Sequence, residues 1–353
     1  GHCEPLILAF LAEKSIELEE LDKKIAESYR VLNKSTRNAG YYRSRLDLQL
    51  VKVRTIRSRS GRPEDRKLYL LHEDLDAYYF IQKLRFLCAF FTEKEVFHST
   101  WTPDGISELM QYFELVYGRM PAFAQAYFHA CQIFLGKSEE LHFTAFRERL
   151  AEWEKEDSQD PDIEDLYVFL LNHFLLQYNR GELTVLFRIG ELYDSMLASG
   201  LLLEEGLIST EHFKNFIGTK CRLGQVDRAK DFFNAYITSL TDHQEGAVDS
   251  YNSICISFYE NRLQYVRKEI EPLLEFPEAT KIDIYYGLNL RCLLLKTYYS
   301  ILEEVDLYEW DEVDEKLKQL SRSFQSYIER RKIPQLSRIR FDNFRVGILR
   351  LYT

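Results

Sequence analysis

A short turn recurs along this chain between apolar stretches, and its spacing limits what the chain can fold into. The copies are Asn179-Arg180-Gly181-Glu182-Leu183, Arg222-Leu223-Gly224-Gln225-Val226, Glu260-Asn261-Arg262-Leu263-Gln264 and Leu307-Tyr308-Glu309-Trp310-Asp311. Each ends one stretch of helical periodicity and opens the next. The anchors Gly136, Gly181, Gly224, Asn261 and Glu309 lie 45, 43, 37 and 48 residues apart, a repeat that drifts in length. A unit of that size cannot bury its apolar face alone, so successive units have to stack on one another.

Length and composition agree with stacking. The 353 residues exceed the size at which one hydrophobic core stops growing. With 15 Gly and 8 Pro the chain is poor in hairpin turns and long linkers, which favours long helices joined by short connections. Aromatic residues reach 14%, and such rings fill the space between packed helix pairs.

Leu18, Leu21, Ile25, Tyr29 and Leu32 recur at steps of three and four and predict a first helix over about 5–33. Leu46, Leu48 and Leu50 alternate as in a strand. Arg45, Leu46, Leu50, Val53 and Ile56 fit a helix, which the helical surroundings favour for 41–58. A loop over 58–63 precedes a long aromatic-rich helix over 68–91. Thr102-Pro103-Asp104 and Asp160-Pro161-Asp162 each read as an N-cap followed by proline at the first helical position, and Ser138 and Ser209 as two further starts. The resulting pairs span about 103–135 with a break near Pro121, 138–179 with a break at an acidic loop, 182–223, 225–258, 261–303 and 310–350.

The run from Phe213 to Phe233, with Cys221-Arg222-Leu223-Gly224-Gln225-Val226-Asp227-Arg228-Ala229 at its centre, resembles a tetratricopeptide-type helix, turn and helix. Tyr251 to Leu263 resembles a second copy, and Leu293 to Tyr299 with Trp310 begins a third. Residues 78–327 as a whole are similar to bacterial proteins described as tetratricopeptide-like. The Trp, Leu-Gly and Tyr block of the motif is largely missing, and the spacing exceeds the ~34 residues of a regular repeat. The resemblance implies an all-α fold, a right-handed α-solenoid of antiparallel helix pairs forming a TPR-like superhelix; it carries over no peptide-clamp residues. Residues 1–67 are expected to be an N-terminal helical region with a basic loop, and 68–353 one continuous repeat array.

Signatures of chemistry fail one by one. Gly136-Lys137-Ser138 has the end of a phosphate loop, but the first glycine would fall at Cys131 inside an apolar run, so no ring of backbone N–H groups can form. His2, His72, His98, His129, His142, His173, His212 and His243 include no i,i+4 pair, and His129 and Cys131 lie on different sides of a helix. They read as lone, satisfied histidines. The acid run Glu152, Glu154, Glu156, Asp157, Asp160, Asp162, Glu164, Asp165 reads as a solvated linker; as a calcium loop it would carry Asp165 in place of glycine and Leu171 in place of the closing Glu. No nucleophile elbow or dinucleotide fingerprint is present. The expectation is a non-enzymatic protein without cofactors or metal.

Six cysteines, Cys3, Cys88, Cys131, Cys221, Cys255 and Cys292, stand far apart with no C-x-x-C pair, the pattern of reduced core thiols in a cytoplasmic protein. No run approaches the ~18 apolar residues of a membrane span, and no membrane partner is expected.

Charge is unevenly placed. Residues 43–67 carry a net +6 and 322–353 another +6, which leaves 68–321 at −21 within a chain of −10. Arg54, Arg57, Arg59 and Arg62 form the candidate partner-binding segment, suited to an acidic protein or to phosphate groups. The overall acidity and a pI near 5.5 argue against nucleic acid as the main ligand. A protein-interaction scaffold holding a partner segment is the leading expectation. Gly1 and His2 in place of an initiator Met motivate a second, a regulatory or sensor module of a larger protein with further sequence upstream.

Overall fold

A computed structural model of the chain describes residues 18–33, 39–58, 65–97, 102–156, 161–240, 245–275, 284–304 and 307–352. Fifteen α-helices account for nearly all regular structure among them, with no strand beyond two isolated bridges. The chain divides into two compact units, residues 1–176 and 177–353.

The first unit holds α1 (Leu18–Leu32), α2 (Ala39–Ser58), α3 (Asp65–Phe97), α4 (Ile106–Val116), α5 (Ala122–Phe134), α6 (Glu139–Glu156) and most of α7 (Pro161–Asn179). The order of packing is α1 on α2, α2 on α3, α3 on α5 and α5 on α6. Ile25, Leu48 and Val51 close the α1–α2 contact. Between α2 and α3 the buried Asp74 accepts a hydrogen bond from Gln49 at 2.6 Å and pairs with Arg45 at 3.2 Å. Helix α7 is fixed by polar and ring contacts together. Arg85 of α3 pairs with Asp162 and Asp165, the Tyr127 hydroxyl donates to the Asp162 carbonyl at 3.1 Å, and Phe134 meets the His173 ring edge-on at 4.7 Å.

The second unit continues with α8 (Leu186–Ala198), α9 (Thr210–Arg222), α10 (Val226–Tyr236), α11 (Glu245–Tyr259), α12 (Leu263–Glu275), α13 (Ile284–Glu304), α14 (Leu307–Arg330) and α15 (Gln335–Tyr352). Here alternate helices also touch: α9 packs on α11, α11 on α13 and α13 on α15. The odd-numbered helices therefore make a continuous row, and α10, α12 and α14 each pack against the two row members that flank them in sequence. Ring stacking ties α9 to α10, with Phe216 and Phe232 centroids 3.8 Å apart. An aliphatic cluster around Leu288, Leu295, Val266 and Phe324 joins α11 through α15.

The recurrent turn has a single physical form. Gly136, Gly181, Gly224 and Asn261 all adopt positive φ, at 69°, 104°, 74° and 60°. At each, the following N–H reaches back five residues to a helical carbonyl: Lys137 to Gln132, Glu182 to Gln177, Gln225 to Lys220 and Arg262 to Ser257, at 2.9–3.1 Å. This is the Schellman closure, which satisfies carbonyls that a helix end leaves open and reverses the chain in a few residues. Gly200, at φ 74°, makes a fifth copy through the Leu201 N–H and Met196 carbonyl. Glu309, read as an anchor, instead lies in the first turn of α14.

The expected break near Pro121 matches the gap between α4 and α5, and 41–58 is helical despite its alternation; the break in the acidic stretch falls on 157–160, outside the described residues. Ser209 caps α9, its side chain accepting the His212 N–H at 3.2 Å, and Pro161 opens α7. Pro103 does not open α4. Gly105, at φ 73°, turns the chain first and the helix starts at Ile106. The part of the first predicted helix before Leu18 lies outside the described residues.

Candidate functional site

Of the predicted docking segment, Arg54 and Arg57 belong to α2, with side chains outside the described residues, and Arg59 and Arg62 lie outside them altogether. Two other cations of that basic stretch hold helices together: Arg45 pairs with Asp74, and Lys52 sits 5.7 Å from the Tyr29 ring centroid. The acid run likewise contributes to packing. Asp162 is buried against Arg85, and Glu154 accepts the Tyr167 hydroxyl at 2.6 Å, because the first turn of α7 packs into the helices before it.

A different set of cations is gathered by the odd-numbered row of the second unit. Tyr251, Cys255 and Tyr259 on α11, Tyr285, Cys292 and Lys296 on α13, and Arg340 and Phe344 on α15 recur at steps of four and seven, so each set occupies one helix face. Ring contacts link these helices. Arg222, at the end of α9, lies 5.6 Å from the Tyr178 centroid, Lys214 lies 5.3 Å from Tyr286, and Tyr286 meets Tyr251 edge-on at 5.2 Å. Lys296 is 5.4 Å from Phe344, and Arg340 is 4.9 Å from Phe341.

Arg222 and Arg340 are exposed and Lys296 is half-buried, yet among the described residues none of the three forms an ion pair. Their charges act on one another. Burial, with the Arg222 charge behind it, lowers the pKa of Lys296. Burial pushes the Tyr259 phenol up to about 12 and raises Tyr251 as well, so both remain neutral hydroxyls beside the cations.

The intervening helices behave in the opposite way. Arg228 on α10 grips both oxygens of Asp194 at 3.0 and 2.8 Å, Arg267 on α12 bonds Glu271 and Glu312 at 3.0 and 3.2 Å, and on α14 Lys316 and Lys318 pair with Glu312 and Asp314 at 3.1 and 2.8 Å. Lys220, two residues from Arg222, also turns away from the row and is paired, with its ammonium 2.7 Å from Asp194. Asp194 on α8, Glu271 on α12 and Glu312 and Asp314 on α14 are thus engaged by cations other than Arg222, Lys296 and Arg340.

Two further groupings were invisible in sequence. The cysteines meet in pairs: Cys88 and Cys131 Sγ atoms are 3.5 Å apart in the core of the first unit, and the Cys221 and Cys255 thiols act on one another in the second. The pull of Cys221, and after it the charges of Arg222 and Lys296, lower the Cys255 thiol, while the Cys221 thiol rises. The reading of lone histidines is corrected for one pair. His129 and His142 Nδ1 atoms are 2.9 Å apart, and the His129 Nε2 shares a 2.8 Å hydrogen bond with the Tyr117 hydroxyl. The Gly136 turn folds α5 back on α6 and brings them together. Among the described residues no group of three His, Cys, Asp or Glu is placed to hold a metal ion.

No signal in a linear charge profile could find Arg222, Lys296 and Arg340, since two of them sit in the most acidic part of the sequence. A helical projection would have placed Lys296 on one face with Tyr285 and Tyr299. No helix among the described residues is long and apolar enough to cross a membrane. No family model, curated protein or solved structure matches the chain.

Proposed function

We propose that this chain is a cytoplasmic, non-enzymatic scaffold of the TPR-like helical-repeat type, a right-handed α-solenoid that holds a protein segment along the row of odd-numbered helices. The observation that carries this reading is the unpaired trio Arg222, Lys296 and Arg340, spread over three helices of one row. Like charges gathered on adjoining helices raise the energy of the empty face, and a ligand bringing negative charge relieves it. Tyrosines beside them, with Tyr285 41% exposed, offer large contact area at small entropy cost. The repeated Schellman turns and the alternate-helix contacts support the repeat architecture, because they give successive units similar neighbours.

A photo-cross-linking amino acid at position 285, compared with one at position 322 on α14, tests the reading in cells of the native source. The expected result is protein adducts from position 285 that fade in a Arg222→Ala, Lys296→Gln, Arg340→Ala variant. Equal adducts from both positions, or nucleic acid or a metabolite as the sole co-purifying species, would overturn it.

A further inference from the structure

We propose that α3 pairs with α3 of a second copy of this chain, antiparallel, through a seam of residues that it turns to solvent. Two stripes run along this helix. The inner one, with Ala77, Ile81, Leu84 and Cys88, is buried in the first unit. The outer one, His72, Leu75, Tyr79, Gln82 and Phe86, has the same alternating steps of three and four, two residues behind the inner stripe and so on the other side of the helix. All five outer residues are exposed, Leu75, Tyr79 and Phe86 by 50%, 43% and 52%. Steps of three and four are the spacing through which two helices interlock side chains along a shared seam. A single exposed leucine needs no partner, whereas apolar residues aligned along one face mark an interaction surface. Helix α4 adds to it. The Tyr112 ring lies 6.3 Å from Phe80 and Phe113 lies 6.3 Å from Tyr79, and Leu115, three residues beyond Tyr112, is 86% exposed.

Charge selects the occupant and its direction. Asp76 and Lys83 flank the seam, each one place after a seam residue, Leu75 and Gln82. Among the described residues Lys83 meets no carboxylate, its ammonium lying 5.6 Å from the Phe86 centroid, and Asp76 is approached only by His72 at 3.5 Å. In an antiparallel pair Phe86 packs on the second copy's Leu75, and Tyr79 on the second copy's Gln82. The same register sets Asp76 beside the second copy's Lys83 and, by two-fold symmetry, Lys83 beside the second copy's Asp76. A parallel pair would set Asp76 beside Leu71 and Lys83 beside Tyr78, leaving both charges without a counter-ion. One acid and one base in this order complement themselves, which is what a second copy supplies and a foreign helix does not need. The seam belongs to the first unit, and the inference does not rest on the scaffold reading, whose cations lie in the second.

Analytical ultracentrifugation of the full chain from about 1 to about 100 µM, the weak end of the affinities that modest interfaces reach, tests the pairing. The expected result is a reversible dimer. Leu75→Glu and Phe86→Ser, each keeping the wild-type circular dichroism and melting temperature, weaken it at least tenfold. Asp76→Lys alone and Lys83→Asp alone weaken it at least fivefold, and the two together return it to within twofold of wild type. A chain monomeric throughout the range, even one that retains a foreign protein on this face, would overturn the inference. So would a dimer indifferent to Leu75→Glu and Phe86→Ser, or a double charge variant no tighter than the single ones.

Discussion

Lys220 separates two accounts of what a buried charge does in a helix stack. Its side chain is 1% exposed; the ammonium donates to the Gly190 carbonyl at 3.0 Å, approaches Asp194 at 2.7 Å and lies 5.3 Å from the Phe216 ring centroid. A Cβ on Gly190 would sit 2.6 Å from Leu223 Cδ1, the mobile end of a leucine side chain, and 3.7 Å from the Lys220 ammonium. Asp194 does not depend on Lys220 alone, because Arg228 holds both its oxygens. Lys220→Met keeps most of the side-chain volume and removes the charge. The lost charge-assisted hydrogen bonds contribute roughly 1.5–3 kcal/mol each, and removing the ammonium avoids a desolvation penalty of several kcal/mol. The two nearly cancel, and a change of about 1 kcal/mol or less is expected. Lys220→Ala gives up the same bonds and also empties about three methylenes of packed space, at about 0.8 kcal/mol each plus the cavity. A loss of about 2–4 kcal/mol is expected there.

Urea unfolding at neutral pH, followed by circular dichroism, measures both variants. A Met variant as unstable as the Ala variant would refute the reasoning, since the ammonium would then be a net stabiliser. The pH dependence gives a second reading. Burial lowers the folded-state pKa of Lys220 below its usual value of 10.5, with Asp194 opposing the shift. The unfolded chain therefore binds more protons between the lowered value and 10.5, so wild-type stability rises with pH across that window. Lys220→Met removes this contribution.

Burial and the adjoining His142 hold His129 down to about 4, so stability is full above the ordinary histidine pKa of 6.5 and falls as pH drops toward 4. The loss is at most about 3 kcal/mol, and melting curves from pH 7 to 4 should show it shrinking in a His129→Phe variant. Ser209→Ala removes the cap of α9 and should cost about 1 kcal/mol by chemical denaturation, with Ser209→Gly costing less. Tyr127→Phe leaves the packed ring and deletes the hydroxyl bond to the Asp162 carbonyl, for an expected loss of about 1 kcal/mol in urea. Iodoacetamide followed by peptide mapping should label Cys255 before Cys88, whose thiol burial raises and which is wholly enclosed; a reversed order would contradict the electrostatics around Cys255.

The helices and most of their breaks were legible because helical periodicity and glycine turns are local properties. Gly136, Gly181 and Gly224 mark helix ends whichever tertiary contacts surround them. Thr102-Pro103 misled because Gly105 interposes a left-handed residue, and Glu309 because a turn and the first residues of the next helix look alike in sequence. Side-chain partners across helices were not legible. His129 and His142, Cys88 and Cys131, and Arg85 with Asp162 are separated by 13 to 77 residues and meet only once α3, α5, α6 and α7 have packed. The same holds for charge: a running sum assigns Arg222 and Lys296 to acidic sequence, whereas neither forms an ion pair among the described residues.

The placement of charge has a consequence for which anions can approach. At physiological ionic strength a charge is felt over about 8 Å. An anion beside Lys296 is therefore governed by the side chains around it and scarcely by the net −10 of the molecule, whereas dilution of the salt brings the acidity of the whole chain back into play.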